Sequence, residues 1–296
     1  MRSKKVSPVQ IALTVGMSAL ALAACAQGPA PAPLVVHPLE GNVYWVEGGG
    51  GNSGVVVGDK GVIVIDAKIS MASGKELLDD IAKITPKPVT TVILTHSDRD
   101  HVNGLAAFPD GLTIVAHENN KKEQEHAIAT GDKNAPAAGH LPTRVITKNK
   151  ERLKVDDVTL ELLHWAPAHT SGDLVIYLPK QKIVFTGDIL TNRPDPLIHL
   201  EKHGSSEGWI ETVKGMLTLD ADTFIPGHGS PETKGEVQEY LARAEAKRAK
   251  IQELVAQGKS LDEIENAVGD ARPAPGGNGP AFATFTQVVY RELTKK

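Results

Sequence analysis

The stretch Val89-Thr90-Thr91-Val92-Ile93-Leu94-Thr95-His96-Ser97-Asp98-Arg99-Asp100-His101 decides how the rest of the chain is read. Its first seven residues form an apolar, β-branched run of the kind that makes a buried strand. Its last six put two imidazoles and two carboxylates on the loop where that strand ends. A helix-prone stretch begins soon after, near Asn103-Gly104. Loops held by a rigid scaffold are where chemistry concentrates. Clustered His and Asp is also the composition a divalent metal ion needs. A solvated turn is the competing reading, and it gives no reason for that density.

On the N-terminal side, residues 43–46, 54–57 and 62–66 read as short strands joined by Gly-rich turns. Gly48 to Gly51 are followed by Asn52 and lack the Gly-Lys-Ser/Thr ending of a phosphate loop, so they read as a hairpin turn. Ser73 and Glu76 have capping-box spacing ahead of Leu77, Leu78, Ile81 and Ile84, which predicts an amphipathic helix stopped by Pro86 and Pro88. On the C-terminal side, a strand over 113–116 and a polar helix over 118–129 precede a Gly/Pro/Ala loop at 130–142. Strands over 144–147, 151–155 and 158–164 follow, then a hairpin of 174–178 with 183–186. A helix over 207–217 carries Trp209, Val213, Met216 and Leu217 on its apolar side, ahead of a strand at 223–225. A long charged helix is expected over 233–257, a second one capped by Ser260 and Glu263, a linker at 270–280 and a last helix over 282–293. Strands then helix occur once around His96 and again between Asp188 and His228. That doubling suggests two sheets, each covered by helices, with one site between them.

Composition narrows the partners. The chain has 296 residues, 41% of them hydrophobic, enough for a substantial core. Net charge is −4, falling to about −7 if Arg2, Lys4 and Lys5 are removed with a leader, which argues against nucleic acid. The single cysteine, Cys25, excludes a disulfide framework and disfavours a zinc thiolate site. A basic start, an apolar run over 9–22 and small residues beyond it form a secretory signal. Leu22-Ala23-Ala24-Cys25 resembles a bacterial lipobox, in which the cysteine is lipidated. The alternative is ordinary cleavage after residue 26, leaving a soluble periplasmic protein. The expected organisation is a signal at 1–24, a Pro/Ala-rich tether at 25–36, a catalytic domain at 37–232 and a helical extension at 233–296.

Four strand-end loops offer ligands: His96 to His101, Ala168-His169-Thr170-Ser171-Gly172-Asp173, Thr186-Gly187-Asp188 and Pro226-Gly227-His228-Gly229. In that order they resemble the metallo-β-lactamase superfamily of metallohydrolases, over about residues 42–229. The resemblance implies an α/β fold, an αββα sandwich of two sheets flanked by helices, with a dinuclear site in the cleft. It implies one metal held by His96, the residue at 98 and His169. A second is held by Asp100, His101 and His228, with Asp188 bridging the two.

Asp98 departs from the pattern, since most of the superfamily has His there. A carboxylate at this position looks like the flavodiiron branch, which uses Glu, but nothing in residues 1–296 reads as the flavodoxin domain of that branch, so that branch is not the expectation. Three readings stay open. Asp98 binds iron or manganese as a harder ligand, or binds zinc and leaves its water less acidic, or falls short and leaves the first site weak.

The resemblance implies a hydrolase that attacks an ester, thioester, amide or lactam bond with metal-bound hydroxide, Asp100 steering it and accepting a proton. The expected cofactor is two divalent ions, zinc first, with iron and manganese as alternatives. The expected partners are a small-molecule substrate and, through Cys25, a bacterial membrane. Asp188 tells against a dedicated lactamase, which carries Cys or Ser there. A non-haem di-iron oxidoreductase and a metal-binding lipoprotein without turnover are the rival classes. His199, His203 and Arg99 are weaker candidates for substrate contact. His117, His164 and Trp209 read as structural.

Overall fold

In the computed structural model, residues 32–270 and 282–294 are described. The leader, Cys25 and residues 271–280 of the linker lie outside the described residues. Strands β1 (Val35–Pro38), β2 (Val43–Glu47), β3 (Ser53–Val57) and β4 (Val62–Ile65) form an antiparallel meander. β5 (Val89–Ile93), β6 (Thr113–His117) and β7 (Arg144–Ile146) extend it in parallel, so the first sheet runs β1 to β7 in sequence order. The second sheet is antiparallel through β8 (Lys150–Val155), β9 (Val158–Leu163), β10 (Val175–Leu178) and β11 (Ile183–Gly187). β12 (Thr223–Pro226) then pairs parallel to β11, and β13 (Glu232–Thr233) closes the edge.

The period of two in the strands sorts their side chains into layers. In β4, Ile63 and Ile65 face the second sheet, with Phe185 and Ile225 in the same cluster, while Val62 and Val64 face outward. That outer face is covered by α1 (Met71–Ile84), through Leu77 and Ile81. In β10, Ile176 and Leu178 belong to the layer between the sheets. Val175 and Tyr177 point to the other side, against α4 (Ser206–Leu217) and α5 (Lys234–Ala256). Four layers follow from this: helix, sheet, sheet, helix. α6 (Leu261–Val268) and α7 (Phe285–Thr294) join the same outer cluster through Ile264, Phe285, Val288 and Val289.

Three expectations need adjusting. Strand β1 takes in residues 35 and 36, expected as tether, because Val35 and Val36 pair with Glu47 and Val46. The boundary expected after residue 232 falls inside β13, which is bonded to β12. The cap of α1 is Ser70, paired with Ser73 in a reciprocal capping box, not Ser73 with Glu76. Glu76 is engaged elsewhere, accepting from the Leu34 backbone N–H at 2.9 Å. Trp209 is fully buried and donates its indole N–H to the Ile189 carbonyl, as a core residue should. No helix among the described residues is long and apolar enough to cross a membrane.

Candidate metal centre

The strands deliver the ligand loops to one end of the sandwich. β5 ends at Ile93, and residues 94–98 run on into the short helix α2 (Arg99–Val102), which carries Asp100 and His101. Asp188 follows β11, and His228 follows β12, its parallel neighbour. Glycine is required where these loops touch. A Cβ on Gly227 would sit 2.0 Å from Asp188 Oδ1, and one on Gly51 would sit 2.2 Å from the His101 ring. The Gly-rich turn therefore packs directly under a candidate ligand. Gly51 N–H donates to the Asp100 carbonyl (3.1 Å), and Asn52 ties the turn to Pro226 and Gly229 carbonyls.

Two groups of candidate ligand atoms result: His96, Asp98, His169 and Asp188 in one, Asp100, His101 and His228 in the other. Within each group the ligand atoms lie within 4.8 Å of one another. Asp98 Oδ2 is 3.0 Å from His169 Nε2 and 3.7 Å from His96 Nε2. Asp100 Oδ2 is 3.1 Å from His228 Nε2 and 3.8 Å from His101 Nε2. Asp188 spans both groups, with Oδ1 3.2 Å from His101 Nε2 and 3.5 Å from His228 Nε2, and Oδ2 4.0 Å from His169 Nε2. A tetrahedral ion with ligands at about 2.1 Å separates neighbouring ligand atoms by about 3.4 Å. The observed separations straddle that value.

The imidazoles are oriented from behind, which fixes their tautomers. His101 Nδ1 donates to Asp66 Oδ2 (2.7 Å), and His169 Nδ1 donates to the Leu197 carbonyl (2.9 Å). The Thr95 hydroxyl donates to Asp66 (2.6 Å), so it accepts from His96 Nδ1 (2.9 Å). All three rings thus aim Nε2 at the centre. Among the described residues His96 Nε2, His101 Nε2 and Asp188 Oδ1 are buried without an aligned hydrogen-bond partner. Buried polar atoms are rarely left so. Convergent, unpartnered nitrogen and oxygen donors of this kind fit divalent cations. Asp66 also lies near His96 and His101, but its oxygens are already used by Thr95 and His101 Nδ1, which places it behind the candidate ligands as an orienting group.

Without cations the neighbouring carboxylates favour the protonated rings of His169 and His228. Burial opposes charge on His169, yet the hydrogen bond and charge of Asp98, with Asp188, raise it to about 9. Burial likewise opposes charge on His228, and Asp100 and Asp188 lift it to about 9. A base raised from 6.5 to about 9 adds stability that is complete below pH 6.5 and lost as pH rises through about 9. Cation binding needs the unprotonated rings. The metal-free protein is therefore expected to melt at progressively lower temperature from pH 6.5 towards 9. Zinc binding near neutral pH is expected to release protons, measurable by calorimetry in two buffers of different ionisation enthalpy. Zero release would remove the carboxylates from the cations' surroundings.

The weaker candidates separate. The His199 ring lies 6.2 Å from that of His169 and 5.2 Å from that of Phe282, bringing the segment before α7 to the rim of the centre. Burial pushes His199 down to about 4, so it is neutral at neutral pH. Arg99 is exposed and bonds Asn134 in the 130–142 loop (3.0 Å). His203 is exposed, with φ at +59°, at the end of a turn over Leu200–Lys202. His117 and His164 stack on each other at 4.2 Å, as structural residues. Reasoning from sequence missed Asp66, Thr95 and Lys202. Lys202 Nζ lies 2.5 Å from Asp98 Oδ1. It also missed Lys68, fully buried, which donates to the Val46 and Gly51 carbonyls and braces the Gly-rich turn.

The chain belongs to the metallo-beta-lactamase superfamily, whose family model matches residues 46–228. It is 29% identical over 208 residues to 2,4-dinitroanisole O-demethylase subunit alpha of Nocardioides, covering 68% of this chain and 61% of that one. It is 22% identical over 224 residues to a linear primary-alkylsulfatase of Pseudomonas, covering 62% and 42%. The chain thus matches less than two thirds of either relative's length. A stereoselective inverting sec-alkylsulfatase from Pseudomonas shares the fold, with a TM-score of 0.69 at 21% identity over 89% of this chain and 50% of that one.

Proposed function

We propose that the chain is a hydrolase using two divalent ions, zinc in the first instance, to cleave an ester-type bond in a small molecule. The observation that carries this reading is the convergence of His96 Nε2, His101 Nε2 and Asp188 Oδ1, buried and, among the described residues, without an aligned hydrogen-bond partner. Ions bound there would acidify a water and polarise the substrate's oxygen. His96, Asp98 and His169 would hold one ion, and Asp100, His101 and His228 the other. Asp188 would serve both, one oxygen to each group. Asp100 has the most exposed of the three site carboxylates, 21% against 12% for Asp98 and 4% for Asp188. It is the one open to accept a proton as the scissile bond breaks. His199, neutral and beside Phe282, would present an apolar rim to the substrate.

Within that class the candidate bonds are ester, thioester, amide and lactam. The demethylase and alkylsulfatase relatives favour a second reading, attack on a group joined to an alkyl chain through oxygen. A panel separates them: a 4-nitrophenyl carboxylate ester, a thioester, a cephalosporin, a linear alkyl sulfate and 2,4-dinitroanisole, each with zinc, manganese or iron restored to chelated protein. The expected result is two ions per chain and turnover that chelation abolishes. Two irons with a visible charge-transfer band and no hydrolysis would replace hydrolysis by oxidation. Full loading without turnover on any member would leave a binding protein.

A further inference from the structure

Asp98 brings a full negative charge to a position where the family usually has a neutral ring, and the structure supplies a counter-charge. Its two oxygens face different ways. Oδ2 faces His169 Nε2 (3.0 Å) and His96 Nε2 (3.7 Å), while Oδ1 accepts from Lys202 Nζ (2.5 Å). Lys202 also donates to Ser97 Oγ (2.8 Å), whose hydroxyl donates to Glu123 Oε2 (2.5 Å). Glu123 Oε1 accepts from Ser171 Oγ (2.9 Å), two residues beyond His169. The Lys202 backbone is pinned as well: its carbonyl accepts from Ser171 N–H (2.8 Å), and its N–H donates to the His199 carbonyl (3.0 Å). The ammonium is therefore held between the 96–101 loop and the 168–173 loop, and it binds the oxygen of Asp98 that points away from the centre. The side chains of Lys202 and Asp98 are only 25% and 12% exposed, so solvent screens this pair less than a surface one.

We propose that Lys202 is a positioning residue for the first metal: it fixes the Asp98 carboxylate so that a single oxygen faces His96 and His169, and it cancels the charge Asp98 adds. Asp98 and Lys202 together then stand in for the neutral imidazole. This rests on reading the centre as a metal site. Groups that orient a ligand from behind are typically worth 10- to 100-fold in metal affinity.

The test is zinc titration of metal-free protein against a chromophoric chelator, for Lys202→Met, Lys202→Arg, Asp98→His and the double variant Asp98→His/Lys202→Met. Lys202→Met is expected to weaken the first ion at least about tenfold, with the second ion unchanged and Lys202→Arg restoring part of the loss. In the Asp98→His background the same change is expected to have no such cost, because an imidazole needs no counter-charge. An effect of Lys202→Met that is equal in both backgrounds, absent, or a tightening would overturn the proposal. A parent protein that binds no divalent ion would instead overturn the metal reading itself.

Discussion

Replacing Asp188 by alanine is expected to reduce kcat/KM by about a thousandfold or more and to leave fewer than two zinc ions per chain. Its side chain is 4% exposed and touches one imidazole of the first group and two of the second. Among the described residues neither Asp98 nor Asp100 does so: the first pairs with His96 and His169 and the second with His101 and His228. Burial raises the cost of its charge, yet His101 and His228 hold its carboxyl well below the usual carboxylate range. Removing one partner of a buried charge set costs about 3–5 kcal/mol, and about 4 kcal/mol is a thousandfold in rate. Removing the shared carboxylate would also leave two cations close together with less negative charge between them. Elemental analysis gives the stoichiometry, and the rate is read on whichever panel substrate the parent turns over. Two ions retained at the parent rate would refute the bridging role. Asp188→Asn separates shape from charge: it keeps the volume against Gly227, where space is tight, and is expected to lose ions nearly as fully as alanine.

What was legible in the sequence, and what was not, follows from the distance over which each feature is determined. The strand-loop unit around residues 89–101 is local: an apolar β-branched run followed by His and Asp announces both the strand and the candidate ligands. The four-layer order was legible because alternation in strands such as β4 and β10 assigns side chains to one layer or the other without knowledge of the partner. The start of α1 was read wrongly by three residues because two serine-led patterns overlap, and Glu76 is drawn off by Leu34, 42 residues away in sequence. Second-rank partners were invisible for the same reason. Lys202 meets Asp98 across 104 residues, and Asp66 meets His101 across 35. Asp66 looks like the polar end of strand β4, and Lys68 like a surface cation, yet both are buried. A hint was available for Lys202: an extra carboxylate beside histidines calls for a cation, and this one lies between His199 and His203, both weak candidates for substrate contact in the sequence.

Asp66→Asn is expected to weaken zinc binding at the second group about 10- to 100-fold while leaving the fold intact. Asp66 is 2% exposed and sits at φ +58°, a left-handed backbone that asparagine tolerates and most residues do not. The substitution therefore isolates the carboxylate's chemistry from backbone strain. Asp66 Oδ1 accepts from the Thr95 backbone N–H (2.8 Å), and Oδ2 accepts from both the Thr95 hydroxyl (2.6 Å) and His101 Nδ1 (2.7 Å). An amide offers one acceptor oxygen in place of two, and its NH2 cannot accept from either Thr95 or the ring. If the oxygen stays with the backbone N–H, the NH2 faces His101 Nδ1 and the ring does best by moving its proton to Nε2, the atom that must bind the ion. The same change frees the Thr95 hydroxyl, which no longer has a carboxylate to donate to and can compete for His96 Nδ1. One buried oxygen thus sets the tautomer of a candidate ligand in each group. Chelator titration is expected to show a weaker second ion and a smaller effect on the first, and 15N spectra of the metal-free protein report which ring nitrogen of His101 carries the proton. Unchanged affinity with His101 still protonated at Nδ1 would mean that the ring is held by packing under Gly51 and that Asp66 is dispensable to it.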